Sequence, residues 1–152
     1  MTSFLRRLAG LATIVVIGLA LAACNNDGRL VLHTDGDAHE FTVEVVDTQE
    51  TRAQGLMNRM DLAPNAGMLF DFLEERPVSF WMMNTFIPLD MIFIGADGIV
   101  RNIHVNARPH DRTSIPSNAP VQYVLEIPGG RSVELGLKPG DRVEHARIKT
   151  QN

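Results

Sequence analysis

The sequence has one cysteine in 152 residues, which excludes a disulfide within the chain. It has only two lysines, and its 14 basic residues are outnumbered by 18 acidic ones, for a formal net charge of −4. A chain without a basic stripe is poorly suited to phosphate backbones, so we expect no nucleic-acid partner. The composition, 45% hydrophobic and 21% charged, is that of a globular protein, and the length fits one domain.

The motifs of several enzyme classes are also missing. The five histidines include no HExxH pair, and no further cysteine is present to help them, so the sequence predicts no metal site. No serine lies in a GxSxG elbow, and no glycine-rich phosphate loop is present. We therefore expect no cofactor.

An apolar run at residues 8–21 is shorter than the roughly 20 residues that a membrane-spanning helix needs. The run follows Arg6 and Arg7 and ends in Leu21-Ala22-Ala23-Cys24, which is the pattern of a bacterial lipoprotein signal peptide. We expect cleavage before Cys24 and attachment of lipid to its thiol.

This cleavage divides the chain into a signal peptide (1–23), a lipidated cysteine with a short tether (24–28) and a single β domain (29–149). The membrane is then a partner through the N-terminal lipid, on the periplasmic side of the cell envelope. Asn25 at the second mature position is not the aspartate that retains lipoproteins in the inner membrane of enteric bacteria. The outer membrane is therefore the favoured location.

Alternating apolar and polar residues, which are typical of half-buried strands, dominate the rest of the chain. Two such runs, 29–33 and 39–47, flank Asp35-Gly36-Asp37 and predict a hairpin, and Asp97-Gly98 predicts a second one. The other predicted strands are residues 68–72, 78–83, 89–94, 99–105, 121–127 and 142–148.

Helical signals are few. Thr48 is a predicted cap for a helix over about Gln49 to Asn58, and one helical turn is predicted at 131–136. Many short strands with one or two short helices predict an all-β fold, either a jelly-roll-like sandwich or a partly open barrel.

Large apolar side chains are concentrated in one region. Six of the nine aromatic residues lie between Phe70 and Phe93, and six of the seven methionines lie between Met57 and Met91. One interpretation is a strand core in which methionine fills irregular gaps. The other is that part of this set lines a groove for an apolar or ring-shaped ligand.

Five motifs follow one another along the chain: RAQGLM (52–57), GMLF (67–70), FWMMNTFIPLD (80–90), VLE (124–126) and GLKPGD (136–141). Together they resemble the family known as domain of unknown function 192. The resemblance covers about Leu30 to Ile148 and implies a small, often secreted or lipid-anchored protein with an all-β, jelly-roll-like fold. The family has no established activity, and Met83 stands where it usually has lysine.

Polar residues inside the FWMMNTFIPLD segment are candidates for ligand contacts. One hypothesis is that these polar side chains orient a sugar hydroxyl while Trp81 stacks on the sugar ring. The polar residues are Asn84, Thr85 and Asp90. The alternative is local: Asn84 and Thr85 satisfy backbone groups before a turn, and Asp90 pairs with an arginine such as Arg59.

Arg52 and Arg59 lie seven residues apart on the predicted helix, so a regular helix would place them on one face as a clamp for a carboxylate. A different hypothesis gives Asp90, His104 and Glu126 acid/base roles. We favour a non-catalytic, lipid-anchored module that binds a small molecule, a saccharide or another envelope protein. The alternative is an envelope enzyme acting on a saccharide through those three groups.

Overall fold

The computed structural model describes residues 28–149, so the predicted signal peptide and Cys24 lie outside the described residues. Nine strands and two short helices follow one another along this part of the chain. They are β1 (Arg29–His33), β2 (Ala38–Val46), α1 (Gln49–Gln54), β3 (Ala66–Arg76), β4 (Ser79–Phe80), β5 (Leu89–Ile94), β6 (Val100–Ala107), β7 (Ile115–Pro116), β8 (Val121–Pro128), α2 (Arg131–Glu134) and β9 (Arg142–His145). The all-β prediction is confirmed.

Seven strands form one strongly curled sheet in the order β6-β5-β8-β3-β2-β1-β9, and β4 pairs with β7 separately. Of the two predicted architectures, the structure has the partly open barrel. Its edges approach each other where the backbone nitrogen of Val143 donates to the carbonyl of Gly98 at 2.8 Å. The nitrogen of Val100 likewise donates to Asp141 at 2.9 Å.

Both predicted hairpins are present: β1 pairs with β2, and β5 pairs with β6, in antiparallel registers. Gly98, with φ of 80°, supplies the left-handed conformation that the second turn requires. The β2–β3 pair is parallel. A parallel pair needs a crossover connection, and α1 with the loop after it provides one.

The curled sheet has two apolar faces. The inner face closes a core around Phe41, Leu69, Ile92 and Leu125. The outer face forms a second core with Leu56 and the segments before β5 and β8, and this core is built from Met68, Phe70, Met82, Leu89, Met91, Phe93 and Val124 among others.

Several element boundaries differ from the sequence-based predictions. α1 begins after the predicted cap Thr48, which forms a capping box with Thr51, but it ends at Gln54 because Gly55 has φ of 48°. Strand β3 extends to Arg76, whereas the strand predicted at 78–83 is reduced to the two residues of β4. No helix within residues 28–149 is long and apolar enough to cross a membrane.

Candidate ligand-binding site

A pocket opens on the outer face of the sheet, between α1, β3 and the chain from Ser79 to Thr85. Its volume is about 700 Å³, within the range of sites for small molecules. Its larger apolar side chains are Leu56, Met57, Phe70, Phe72, Phe80, Trp81 and Met83. Its ionisable groups are Arg52, Arg76 and Glu126, and we call it the Glu126 pocket.

The sheet register places Glu126 beneath this pocket. Glu126 lies in β8 opposite Met68 of β3 and Met91 of β5. Its neighbours Leu125 and Ile127 belong to the inner core. Because side chains alternate along a strand, Glu126 is turned to the outer face.

The carboxyl group of Glu126 faces the pocket and has no hydrogen-bonding partner among residues 28–149. The residue is 4% exposed, and no donor or cation within residues 28–149 pairs with its side chain. Burial alone raises the pKa of Glu126 from 4.5 to about 8, because a desolvated carboxylate is unstable in apolar surroundings. At neutral pH the group is therefore mostly protonated and can donate as well as accept a hydrogen bond.

Two guanidinium groups lie on one aromatic ring in the pocket wall. Arg52 of α1 and Arg76 at the end of β3 each place Cζ 5.1 Å from the centroid of Phe72. This is the range of cation–π attraction. Nη1 of Arg52 also donates to the backbone carbonyls of Asp47 and Asp71, the latter at 2.8 Å. One of the two cations is thus anchored to the scaffold.

Three of the six predicted ligand-binding residues line the pocket: Arg52, Trp81 and Thr85. Trp81 is 51% exposed and offers a free aromatic surface at the rim. Thr85 is buried, and its Oγ1 donates to the carbonyl of Met83 at 3.3 Å. Met83 also lines the pocket, so the apolar thioether lies where the family resemblance implies an ammonium group.

Asn84 and Arg59 lie outside the pocket. Asn84 is exposed in a left-handed conformation, with φ of 54°, and its carbonyl accepts from the nitrogen of Asn58 at 2.9 Å. Arg59 pairs with Glu44 through both guanidinium arms, at 2.5 and 2.6 Å. Because α1 ends before Arg59, the predicted helical face shared by Arg52 and Arg59 does not form.

Asp90 is fully buried and saturated with internal donors. Its Oδ1 accepts from the backbone nitrogens of Asn106 and Gly130, each at 2.7 Å. Its Oδ2 accepts from the backbone nitrogen and the hydroxyl of Ser132. The alternative interpretation, in which Asp90 pairs within the protein, therefore describes its contacts better than ligand binding does. Its partners are backbone and hydroxyl groups, however, and Arg59 is not among them.

The three residues of the acid/base hypothesis do not come together. Asp90 is opposite Ile127 in the β5–β8 register and therefore faces the opposite side of the sheet from Glu126. His104 is opposite Met91, two strands away from Glu126, which separates their backbones by about 10 Å. Within residues 28–149, no group of three His, Cys, Asp or Glu side chains is arranged to hold a metal ion.

Sequence reasoning missed Phe72 and Arg76 as site residues. The predicted strands 68–72 and 78–83 leave Arg76 between them, so nothing distinguished it from the other arginines of the chain. Its placement depends on the continuation of β3 through a bulge, where Leu73 has φ of 67°. Phe72 and Arg76 carry no local sequence signal of a site. Glu126 does, because it is the single acidic residue of an apolar strand.

Comparisons with known proteins place the chain in a family and leave its activity open. The crystal structure of a Sinorhizobium meliloti 1021 protein, named as a candidate transcription regulator, is 51% identical, with a TM-score of 0.78. That match covers 79% of this chain and 94% of the other. A protein of unknown function from Novosphingobium aromaticivorans DSM 12444 is 43% identical over 76% of this chain and 83% of its own, with a TM-score of 0.75.

No curated protein matches the chain at a significant level. The model of the DUF192 family, described as uncharacterized ACR, matches residues 30–145. This range includes α1, β3, β8 and the chain that links β4 to β5, and therefore every element that builds the Glu126 pocket. The chain belongs to the DUF192 family, as its five motifs predicted.

Proposed function

We propose that the protein is a lipid-anchored module of the cell envelope that binds a small molecule in the Glu126 pocket. The anchor is Cys24, at the end of the signal-peptide pattern, on the periplasmic side and with the outer membrane favoured. Only four residues separate Cys24 from Arg29, where β1 begins. Since four residues span at most about 14 Å, the β domain would lie close to the membrane surface.

The observation that carries the binding role is the unpaired carboxyl group of Glu126 at a pocket of suitable size. A carboxyl group with no partner in the protein is free to pair with a polar atom of a ligand, and such a hydrogen bond contributes about 1 kcal/mol. Apolar walls with a few orienting polar groups are typical of small-molecule sites. The exposed ring of Trp81 adds a surface for stacking.

Two other roles are less well supported. An acid/base enzyme needs its groups in one cleft, and Asp90 faces away from Glu126. Transcription regulation, which the name of the Sinorhizobium relative suggests, requires a surface for nucleic acid. The formal net charge of −4 argues against such a surface in this chain.

The chain offers a built-in reporter for ligand binding, because Trp81 is its only tryptophan. Titration of the full-length protein in detergent with a library of metabolites and oligosaccharides should produce hits that change Trp81 fluorescence and raise the unfolding temperature. Trp81→Ala should weaken those hits in calorimetry and leave the unfolding temperature of the free protein nearly unchanged. Val133→Ala, at an exposed apolar residue outside the pocket, is the matched control. A library without any hit would contradict the binding role.

The anchor is tested separately. Cys24→Ala should abolish incorporation of labelled fatty acid and leave the uncleaved precursor. Incorporation of label by the variant would contradict the assignment of Cys24, and fractionation of the wild-type protein would locate its membrane.

A further inference from the structure

The arginines of the Glu126 pocket differ from most others in the chain. Seven of the ten arginines within residues 28–149 lie within 4.0 Å of a carboxylate oxygen. Arg52 and Arg76, the two that line the pocket, have no such ion pair among these residues. Their charges are left available beside a cavity.

The two cations also contact the same aromatic ring of the pocket wall. Both guanidinium carbons lie 5.1 Å from the centre of the Phe72 ring, so they are at most about twice that distance apart. Arg52 uses Nη1 to bind two backbone carbonyls, and its other nitrogens form no hydrogen bond within residues 28–149. The remaining nitrogens of Arg52 and the guanidinium group of Arg76 can each donate hydrogen bonds to an anion in the pocket.

No side chain in the pocket wall carries a fixed negative charge at neutral pH, and the two carboxylates that interact electrostatically with Arg52, Asp47 and Glu50, lie outside this wall. Glu126 is the only acidic residue in the pocket wall, and its burial keeps it mostly protonated. The Glu126 pocket therefore carries net positive charge inside a protein whose formal net charge is negative. This balance favours an anionic ligand and disfavours an amine.

We infer that the Glu126 pocket selects a small organic acid, whose anionic group binds at the wall that carries Arg52 and Arg76 while its uncharged body packs against Trp81 and Met83. This inference rests on the proposed binding function and names its ligand class. The carboxyl group of Glu126 then meets a neutral polar atom of the ligand body, as donor or acceptor. A carboxylate suits the site because a guanidinium group binds it through two parallel hydrogen bonds.

Matched acids and uncharged analogues test the inference on the full-length protein in detergent. The first pair is 3-phenylpropionate and 3-phenylpropanamide, the second is glucuronate and glucose, and phenethylamine represents the cations. We expect saturable calorimetric binding of at least one acid, and binding of its uncharged analogue weaker by about tenfold or more, as expected for loss of a charged hydrogen-bonding group. The two pairs also distinguish an apolar body from a saccharide.

Arg76→Gln is the sharpest variant, because the Arg76 side chain is exposed and, apart from its contact with Phe72, forms no hydrogen bond or ion pair with another described residue. It should weaken the acid about tenfold or more and leave the uncharged analogue unaffected. Arg108→Gln removes the same charge at a side chain that is 85% exposed and outside the pocket, and it should change neither affinity.

Each other outcome overturns the inference. Three results would refute the anionic class and still leave the pocket as a binding site. They are equal binding of an acid and its uncharged analogue, binding of phenethylamine alone, and an acid affinity that Arg76→Gln does not change. Absence of saturable binding by every probe up to about 10 mM would refute the inference. If the wider library then also gave no hit, the proposed function would fail with it.

Discussion

The carboxylate of Asp90 accepts two hydrogen bonds from Ser132, one from the backbone nitrogen at 2.7 Å and one from the hydroxyl at 2.5 Å. Ser132 belongs to α2, and Asp90 belongs to β5. The nitrogens of Gly130 and Asn106 bind the other oxygen. Asp90 thus connects α2 to the sheet. All four donors to its carboxylate belong to the protein itself, so its role is to stabilise the fold.

The first prediction concerns this network. Asp90→Ala should lower the free energy of unfolding by on the order of 3 kcal/mol, because several buried donors lose a charged acceptor together. Ser132→Ala should cost about 1 to 2 kcal/mol, since only the hydroxyl bond is lost. Denaturant unfolding measures both values. Asn84→Ala, at an exposed residue, is the comparison, and a larger loss there than for Asp90→Ala would contradict this role.

The second prediction is a pH dependence of stability from Glu126, whose pKa is about 8 in the folded protein against an ordinary value of 4.5. Between these pH values the folded state holds a proton that the unfolded state has released. Stability must then fall as pH rises through this window, and the contribution of Glu126 is fully present only below pH 4.5. The total loss is on the order of 3 to 5 kcal/mol.

Glu126→Gln isolates this effect, because glutamine has nearly the same shape and does not ionise. The difference in free energy of unfolding between the variant and the wild type should increase steadily in favour of the variant from pH 4.5 to 8. Denaturant unfolding at a series of pH values measures it. A difference independent of pH would show that Glu126 ionises normally.

Asp90 and Glu126 also show how far the sequence could predict the site. Each is an acidic residue inside an apolar strand, so the local pattern is the same for both. Their environments differ because the register turns them to opposite faces of the sheet. Asp90 then meets donors about 40 residues away in the chain, whereas Glu126 meets only apolar neighbours and the pocket. Such long-range contacts leave no trace in a local pattern.

The fold shows the same contrast between features that a local pattern determines and features that depend on long-range contacts. The hairpins were predictable because Asp35-Gly36 and Asp97-Gly98 are local turn signals. The parallel pairing of β2 with β3 and the placing of β8 between β5 and β3 depend on contacts distant in sequence. The end of α1 at Gly55 was missed, because a glycine within a helical pattern can be tolerated or can end the helix.

The third prediction concerns Gly67, where β3 passes close to β8. A Cβ atom on Gly67 would lie 2.6 Å from the carbonyl oxygen of Glu126, and a backbone atom cannot move aside as a flexible side chain can. Gly67→Ala should therefore lower the free energy of unfolding by about 1 to 3 kcal/mol. In Gly28→Ala the nearest atom is at 3.5 Å, an ordinary contact. Equal stability of the two variants would contradict the close approach.

The last prediction compares two arginines that the sequence presents as equivalent. Arg52 joins the beginning of α1 to β3, because its Nη1 binds the carbonyls of Asp47 and Asp71. No residue of α1 is buried, so this six-residue helix depends on its capping box and on Arg52 for its position. Arg59 forms only an exposed pair with Glu44.

Arg52→Gln should lower the free energy of unfolding by about 1 to 3 kcal/mol, because two partly buried carbonyls lose a charged donor. It should also speed amide hydrogen exchange in α1, where the helix has lost its attachment to the sheet. Arg59→Gln should cost less than about 1 kcal/mol, as is usual for exposed ion pairs, and leave exchange in α1 unchanged. Denaturant unfolding and exchange mass spectrometry measure the two effects. Two results would show that Arg52 does not hold this wall of the pocket. One is faster amide exchange in α1 when Arg59 is replaced, and the other is an unchanged exchange rate in α1 when Arg52 is replaced.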